Sequence, residues 1–289
     1  MKPTAGDRFF YGFNYLILTL IALTCLLPLL HIMAVSLSDT HSIISGRVTL
    51  WPKGWNPDAF RSMLVGTRIV PAFWNSVTIT VVGTALSMLA TILTAYPLSR
   101  RLFPGRRLFT LLMIFTMMFT GGMIPTYLTV KAFGLINSYW ALWIPALVNT
   151  YNMLVMRTYF ENIPDELEEA AKMDGCGQWR QLVQIILPLS KPVLATIALF
   201  YAVFYWNLFM NVLIYINQSV HYNLAVLVQQ MIQNQQLLQE LVLTGAQVEV
   251  VPESLKAASV MVMIVPMLIV YPFLQKYFVK GVMLGAVKG

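Results

Sequence analysis

Six long apolar runs, nearly free of charge, constrain this chain more than any other feature. They fall at about 10–35, 73–98, 108–129, 139–160, 193–216 and 258–279, and each provides the roughly 20 residues a helix needs to cross about 30 Å of hydrocarbon. Barrel strands would alternate apolar and polar side chains over about 10 residues, and these runs do not alternate. Helices satisfy their own backbone in lipid, so the chain reads as an all-α membrane protein with six transmembrane helices in one domain, residues 1–289. The composition agrees. Only 11% of residues are charged and 58% are hydrophobic, where a soluble domain carries about 25% charged residues. The first run is too long for a signal-peptide core, and no small-x-small cleavage site stands out, so it is expected to remain as the first span.

The connections sort by charge. Arg100, Arg101, Arg106 and Arg107 lie between runs two and three; Arg157, Lys172, Arg180 and Lys191 lie between four and five. With Lys2, Arg8, Lys276, Lys280 and Lys288 they fall on one side if six helices alternate. Arg47, Lys53, Arg61, Arg68, Lys131 and Lys256 fall on the other. The richer side is the cytoplasmic one, which places both termini there. Two outer segments are long. Residues 36–72 carry Trp51 and Trp55 and are expected to lie partly along the interface. Residues 217–257 are rich in Gln and Asn and read either as a solvated cap or as a docking surface.

Several function classes are excluded. The net charge is +7, but the basic residues flank apolar runs instead of clustering on a water-exposed fold, so nucleic acid is not an expected partner. The spans contain essentially no ionisable residue for a proton or ion relay; His31 sits near the end of the first. The tail GVMLGAVKG fails the phosphate-loop spacing, with Gly281 and Gly285 too close and no hydroxyl residue after Lys288. No HExxH, GxSxG or paired intramembrane carboxylates occur, and neither Cys25 nor Cys176 has metal ligands at useful spacing. No catalytic or metal site is expected, and any energy source lies in another polypeptide.

One stretch breaks the apolar pattern: ELEEAAKMDGCGQWRQLVQIILPLSKP, residues 166–192. Pro164 suits a helix start, Asp165, Glu166 and Glu168 suit the first turn, and Gly175 suits a left-handed terminator. The spacing predicts a cytoplasmic helix of about ten residues, roughly 15 Å long. It has no apolar face broad enough for lipid. Ala170 and Ala171 would allow a partner close approach, with the charged residues fixing orientation. The alternative is an ordinary solvated loop helix.

The spacing Glu169-Ala170-Ala171, three residues, Gly175, nine residues, Ile185, one residue, Leu187-Pro188 resembles the E-A-A-x3-G-x9-I-x-L-P loop of permease subunits in bacterial binding-protein-dependent ABC importers. The resemblance extends over nearly the whole chain and is strongest to the MalG-type permease of the carbohydrate-uptake branch, with a tail similar to the LplC/YtcP-like subgroup. It implies a type I importer permease of six helices, with a coupling helix between spans four and five in a loop at about 163–192. Glu168, Glu169, Ala170, Ala171, Asp174, Gly175, Ile185, Leu187 and Pro188 would couple to a cytoplasmic ATPase. The implied partners are a second homologous permease, forming a heterodimer, two ATPase subunits that use ATP and Mg, and an extracytoplasmic solute-binding protein. The chain itself would bind no cofactor. The implied location is the bacterial cell membrane, and the implied cargo is a sugar or oligosaccharide.

Span five reads LFYAVFYWNLFMN. Tyr201, Tyr205, Trp206, Asn207 and Asn211 combine aromatic faces with amides, which suits sugars; for any single one of them, packing against neighbouring helices or lipid is the commoner role. Where relatives often carry W-N-[DE], this chain has Trp206-Asn207-Leu208. Gly121-Gly122, ahead of Pro125, is expected to break span three near its outer end. Two rival readings remain: a permease of the same superfamily for a non-sugar solute, and a stand-alone secondary carrier.

Overall fold

The computed structural model describes residues 5–233 and 251–286. Among the described residues every regular element is helical. The helices are α1 (Ala5–Ser36), α2 (Thr40–Ile44), α3 (Asp58–Gly66), α4 (Ile69–Ser99), α5 (Arg106–Met118), α6 (Met123–Ala132), α7 (Trp140–Trp143), α8 (Thr150–Glu161), α9 (Asp165–Met173), α10 (Gln178–Gln181), α11 (Leu187–Leu189), α12 (Lys191–Trp206), α13 (Met210–Tyr215), α14 (Leu224–Gln233) and α15 (Pro252–Ala286). They divide between two compact units, residues 1–70 with 227–266 and residues 71–226 with 267–289.

In the first unit, α1 is one unbroken helix of 32 residues, roughly 48 Å at 1.5 Å per residue. None of its apolar window is buried among the described residues, as suits a helix whose surroundings are lipid or another chain. A small ordered loop follows. Asp39 caps α2 by accepting from the Ser42 amide at 2.8 Å and from the Ser42 hydroxyl at 2.8 Å. The Lys53 amide donates to Ser38 Oγ, and the Asp39 amide to the Lys53 carbonyl. Gly54, at φ +61°, lies directly under the Asp39 carboxylate, where any Cβ would collide with it. Trp51 and Trp55 stand exposed on this loop.

The second unit is organised by α4. Its buried face is a stripe of mostly small residues, Ala72, Ser76, Gly83, Ser87, Thr91 and Ala95, with Ile79 among them. Small residues let transmembrane helices approach closely, and α12 does so here. Tyr205 bonds Ser87 Oγ at 2.8 Å, and one turn earlier Tyr201 bonds Thr91 Oγ1 at 2.7 Å. The Asn149 amide donates to the Tyr201 hydroxyl, and Trp143 donates its indole N–H to the Ile79 carbonyl at 3.1 Å. Met153, Met156, Phe160, Ile186 and Ile197 complete this core.

Three expected spans, 10–35, 73–98 and 258–279, lie within single helices, α1, α4 and α15. The other three are not continuous; the break expected in span three at Gly121-Gly122 is present, and the expectation of one continuous helix is corrected for spans four and five. Span three is α5 and α6, bent by 115° at Gly121-Gly122, with Gly122 at φ +82°. Span four is α7, a 3-10 turn holding Pro145, and α8, which Asn149 caps by accepting from the Asn152 amide. Span five is α12 and α13, separated at 207–209 where the Asn207 side chain turns back to the Val203 carbonyl. Glycine permits the first break, proline lacks the donor needed across the second, and the two asparagines offer the backbone a competing partner. By length and apolarity alone, three helices can cross a membrane, or five counting each bent pair as one.

Candidate functional site

The sequence-predicted cytoplasmic helix is α9. Pro164 precedes it in an extended conformation, Asp165, Glu166 and Glu168 fill its first turn, and Lys172 its last. Both ends are thus complementary to the helix dipole. It stops on a Schellman motif: the Gly175 amide bonds the Lys172 carbonyl and the Cys176 amide bonds the Ala171 carbonyl, with Gly175 at φ +73°.

The two faces of α9 differ. Glu168 and Ala171 are buried against the rest of the chain. Glu166, Glu169, Ala170 and Met173 are exposed, and their spacing places them on one side of the helix. Of the alanine pair, only Ala170 is open to a partner; Ala171 is spent on seating the helix. Asp174 and Gly175 are exposed at its end.

The seat of Glu168 is Arg100, which follows α4 directly and forms an ion pair with it. The Arg100 guanidinium lies over the Tyr96 ring, 4.6 Å from its centroid. Burial pushes the pKa of Arg100 below its ordinary value, while Tyr96 and Asp165 oppose that shift. A cavity of about 720 Å³ opens here, lined by Arg100, Arg106, Asp165, Glu168 and Lys172 among others. Beside it Glu161 takes both Arg106 and Arg157. The sequence marked Arg100 only as a topological charge and missed Tyr96; the available signal was an arginine at the end of an apolar run on the same predicted side as an acidic helix.

After α9 the chain runs through α10, a π-helical turn at Leu182–Ile186, and α11. A bend of 83° then leads into α12. Ile185 and Leu187 are half-buried and Pro188 is exposed along this connector. Wide π turns often mark functional positions in helices.

The span-five set does not converge on one surface. Tyr201 and Tyr205 are 2% and 0% exposed, with both hydroxyls engaged by α4. Trp206 is buried edge-on to Phe73, with ring centroids 6.1 Å apart. Asn207 is exposed and Asn211 half-buried. Within this chain the two tyrosines therefore hold helices together. No cluster of metal ligands occurs among the described residues.

These features define a helical membrane protein that carries an exposed acidic helix braced against its own spans. The chain belongs to the family described as binding-protein-dependent transport system inner membrane component, whose model matches residues 2–284. It is 42% identical over 290 residues, and the full length of both chains, to the polygalacturonan/rhamnogalacturonan transport system permease protein YtcP of Bacillus subtilis (strain 168). It is 41% identical to protein LplC of the same organism, over 100% of this chain and 98% of that one. A bacterial ABC transporter involved in the import of the acidic polysaccharide alginate matches with a TM-score of 0.88 at 32% identity, covering 95% of this chain and 98% of that one. The chain is thus a permease subunit of an ABC import system with the type I fold, and a transport component rather than an enzyme. Membership implies work with a solute-binding protein, an ATPase and a second permease.

Proposed function

We propose that this chain carries a sugar or oligosaccharide into a bacterial cytoplasm as half of a permease heterodimer, with both its termini on the cytoplasmic side. Two ATPase subunits, which bind ATP and Mg, drive it, and α9 is the helix that one of them grips. The single observation that carries this reading is the exposed face Glu166, Glu169, Ala170 and Met173 on a short helix that its own chain holds by the opposite face. A helix docked on one side and bare on the other is ready to enter a partner's groove.

The carbohydrate cargo is supported by the relative whose name specifies polygalacturonan and rhamnogalacturonan transport and by the alginate importer. Asn207 and Asn211, where span five breaks, are the members of the span-five set best placed to meet solute. The extracytoplasmic binding protein would deliver its load to the outer face. Residues 234–250 of the Gln-rich stretch at 217–257 proposed to meet it, and the tail at Lys288, lie outside the described residues.

Uptake tests the reading. A strain lacking this chain is supplied with labelled oligogalacturonides, alginate oligosaccharides and maltooligosaccharides. Uptake of at least one that requires this chain, the binding protein and the ATPase is expected. Uptake of peptides or amino acids alone would move the cargo to another solute. Uptake without any ATPase would make the chain a stand-alone carrier.

A further inference from the structure

The connection from α9 to α12 is covalent, but it is not stiff. It passes the π turn at Leu182–Ile186 and then the 83° bend at Ser190. Either point can absorb a push delivered to α9, since altered helical hydrogen bonding and sharp bends are where helices yield. The structure holds a second route. Glu168, on the inner face of α9, is paired with Arg100 at the end of α4. Further along α4, Thr91 and Ser87 are bonded to Tyr201 and Tyr205 of α12. The three helices therefore form a closed triangle. One side is the covalent connector, one is the pair of hydroxyl rungs, and one is the ion pair.

We infer that Arg100 and Glu168 are positioning residues that form a strut, closed throughout the transport cycle, so that α9, α4 and α12 move as one body when the ATPase pushes α9. A triangle resists deformation where a single jointed arm does not. Glu168 is 7% exposed, and Tyr96 fixes the guanidinium from one side. A largely buried pair of this kind is screened little by salt; its contact is a single one, Arg100 Nη1 to Glu168 Oε1. This inference rests on the reading of α9 as the ATPase-coupling helix.

The test uses the assembled complex of both permeases and the ATPase in lipid, with Cys25 and Cys176 replaced by serine. Spin labels are placed at two exposed positions, Leu102 beyond α4 and Leu167 on the flank of α9 outside its docking face, and their separation is read without nucleotide and with ATP-vanadate trapped. One narrow distance, the same in both states, is expected. Arg100→Met and Glu168→Gln are expected to lose that single distance. Stimulation of hydrolysis by the binding protein should fall roughly 5-fold or more, the lower end of ordinary coupling. The exchange Arg100→Glu with Glu168→Arg should recover the narrow distance. A wild-type separation that changes on trapping overturns the strut, whatever the variants do, and so do neutralised variants that keep the narrow distance. Failure of the wild-type chain to capture any ATPase would instead overturn the reading of α9 itself.

Discussion

The ring of Tyr205 fills the space beside Gly83 that any side chain there would need: a Cβ on that glycine would stand 2.8 Å from the ring. The ring cannot retreat easily, because it is fully buried and its hydroxyl is bonded to Ser87. Gly83→Ala should therefore push α4 and α12 apart. Overpacking of this kind costs about 1–3 kcal/mol, and the unfolding midpoint of the purified chain in detergent should fall accordingly. An unchanged midpoint would show that the helices have slack at this crossing.

The Ser87–Tyr205 rung makes a separate prediction. Ser87→Ala leaves the buried Tyr205 hydroxyl without its partner, at about 1–3 kcal/mol; Tyr205→Phe costs less, because Ser87 Oγ still donates to the Ala146 carbonyl at 3.4 Å. Ser87→Ala and Tyr205→Phe should each destabilise, while the double variant should lose clearly less than the sum. A double-mutant cycle on thermal stability measures this directly. Strict additivity would mean the 2.8 Å contact contributes nothing.

Gly175 sits at φ +73° with open space around the position of a Cβ. The obstacle to substitution is therefore backbone conformation and not crowding. Gly175→Asp should cost up to roughly 1–2 kcal/mol of local helix-end order and add charge beside Asp174. The variant should reach the membrane, and its binding-protein-stimulated hydrolysis should drop. Normal transport with normal ATPase capture would remove α9's terminator from the coupling surface.

Asp39 gives a pH dependence of known sign. Hydrogen bonds from the Ser42 amide and hydroxyl lower its pKa from the ordinary 3.8. A lowered carboxylate contributes order that is present above its unfolded pKa and lost as pH falls through the folded one. Protection from hydrogen exchange across residues 40–45, relative to the intrinsic rate at each pH, should hold down to about pH 3.8 and fall only below it. Asp39→Ala should exchange fast throughout, and Gly54→Ala should imitate it by displacing the carboxylate.

The apolar runs at 10–35, 73–98 and 258–279 were legible because hydropathy alone decides a continuous span. The limits of α9 were legible as well, since Pro164, the first-turn acids and Gly175 are local signals. The breaks were harder. Gly121-Gly122 announced itself, but Asn149 and Asn207 act through single hydrogen bonds that apolarity does not register. Least legible were the long-range pairs. Arg100 lies 68 positions from Glu168, and Ser87 lies 118 positions from Tyr205. Tyr201 and Tyr205 suit packing better than sugar even as sequence, but nothing local names Thr91 and Ser87 as their partners. Similarly, the sequence offered Ala170 and Ala171 alike to a partner, and only the docking of Glu168 onto Arg100 turns one of them inward.

Co-purification tests the central claim most directly. This chain is expressed with its partner permease and a carbohydrate-importer ATPase, captured through a tag on this chain, and assayed for ATP hydrolysis in lipid with and without the loaded binding protein. The account predicts a stable complex whose hydrolysis rises when the loaded binding protein is added. A folded chain that captures no ATPase, across several such subunits, would contradict it.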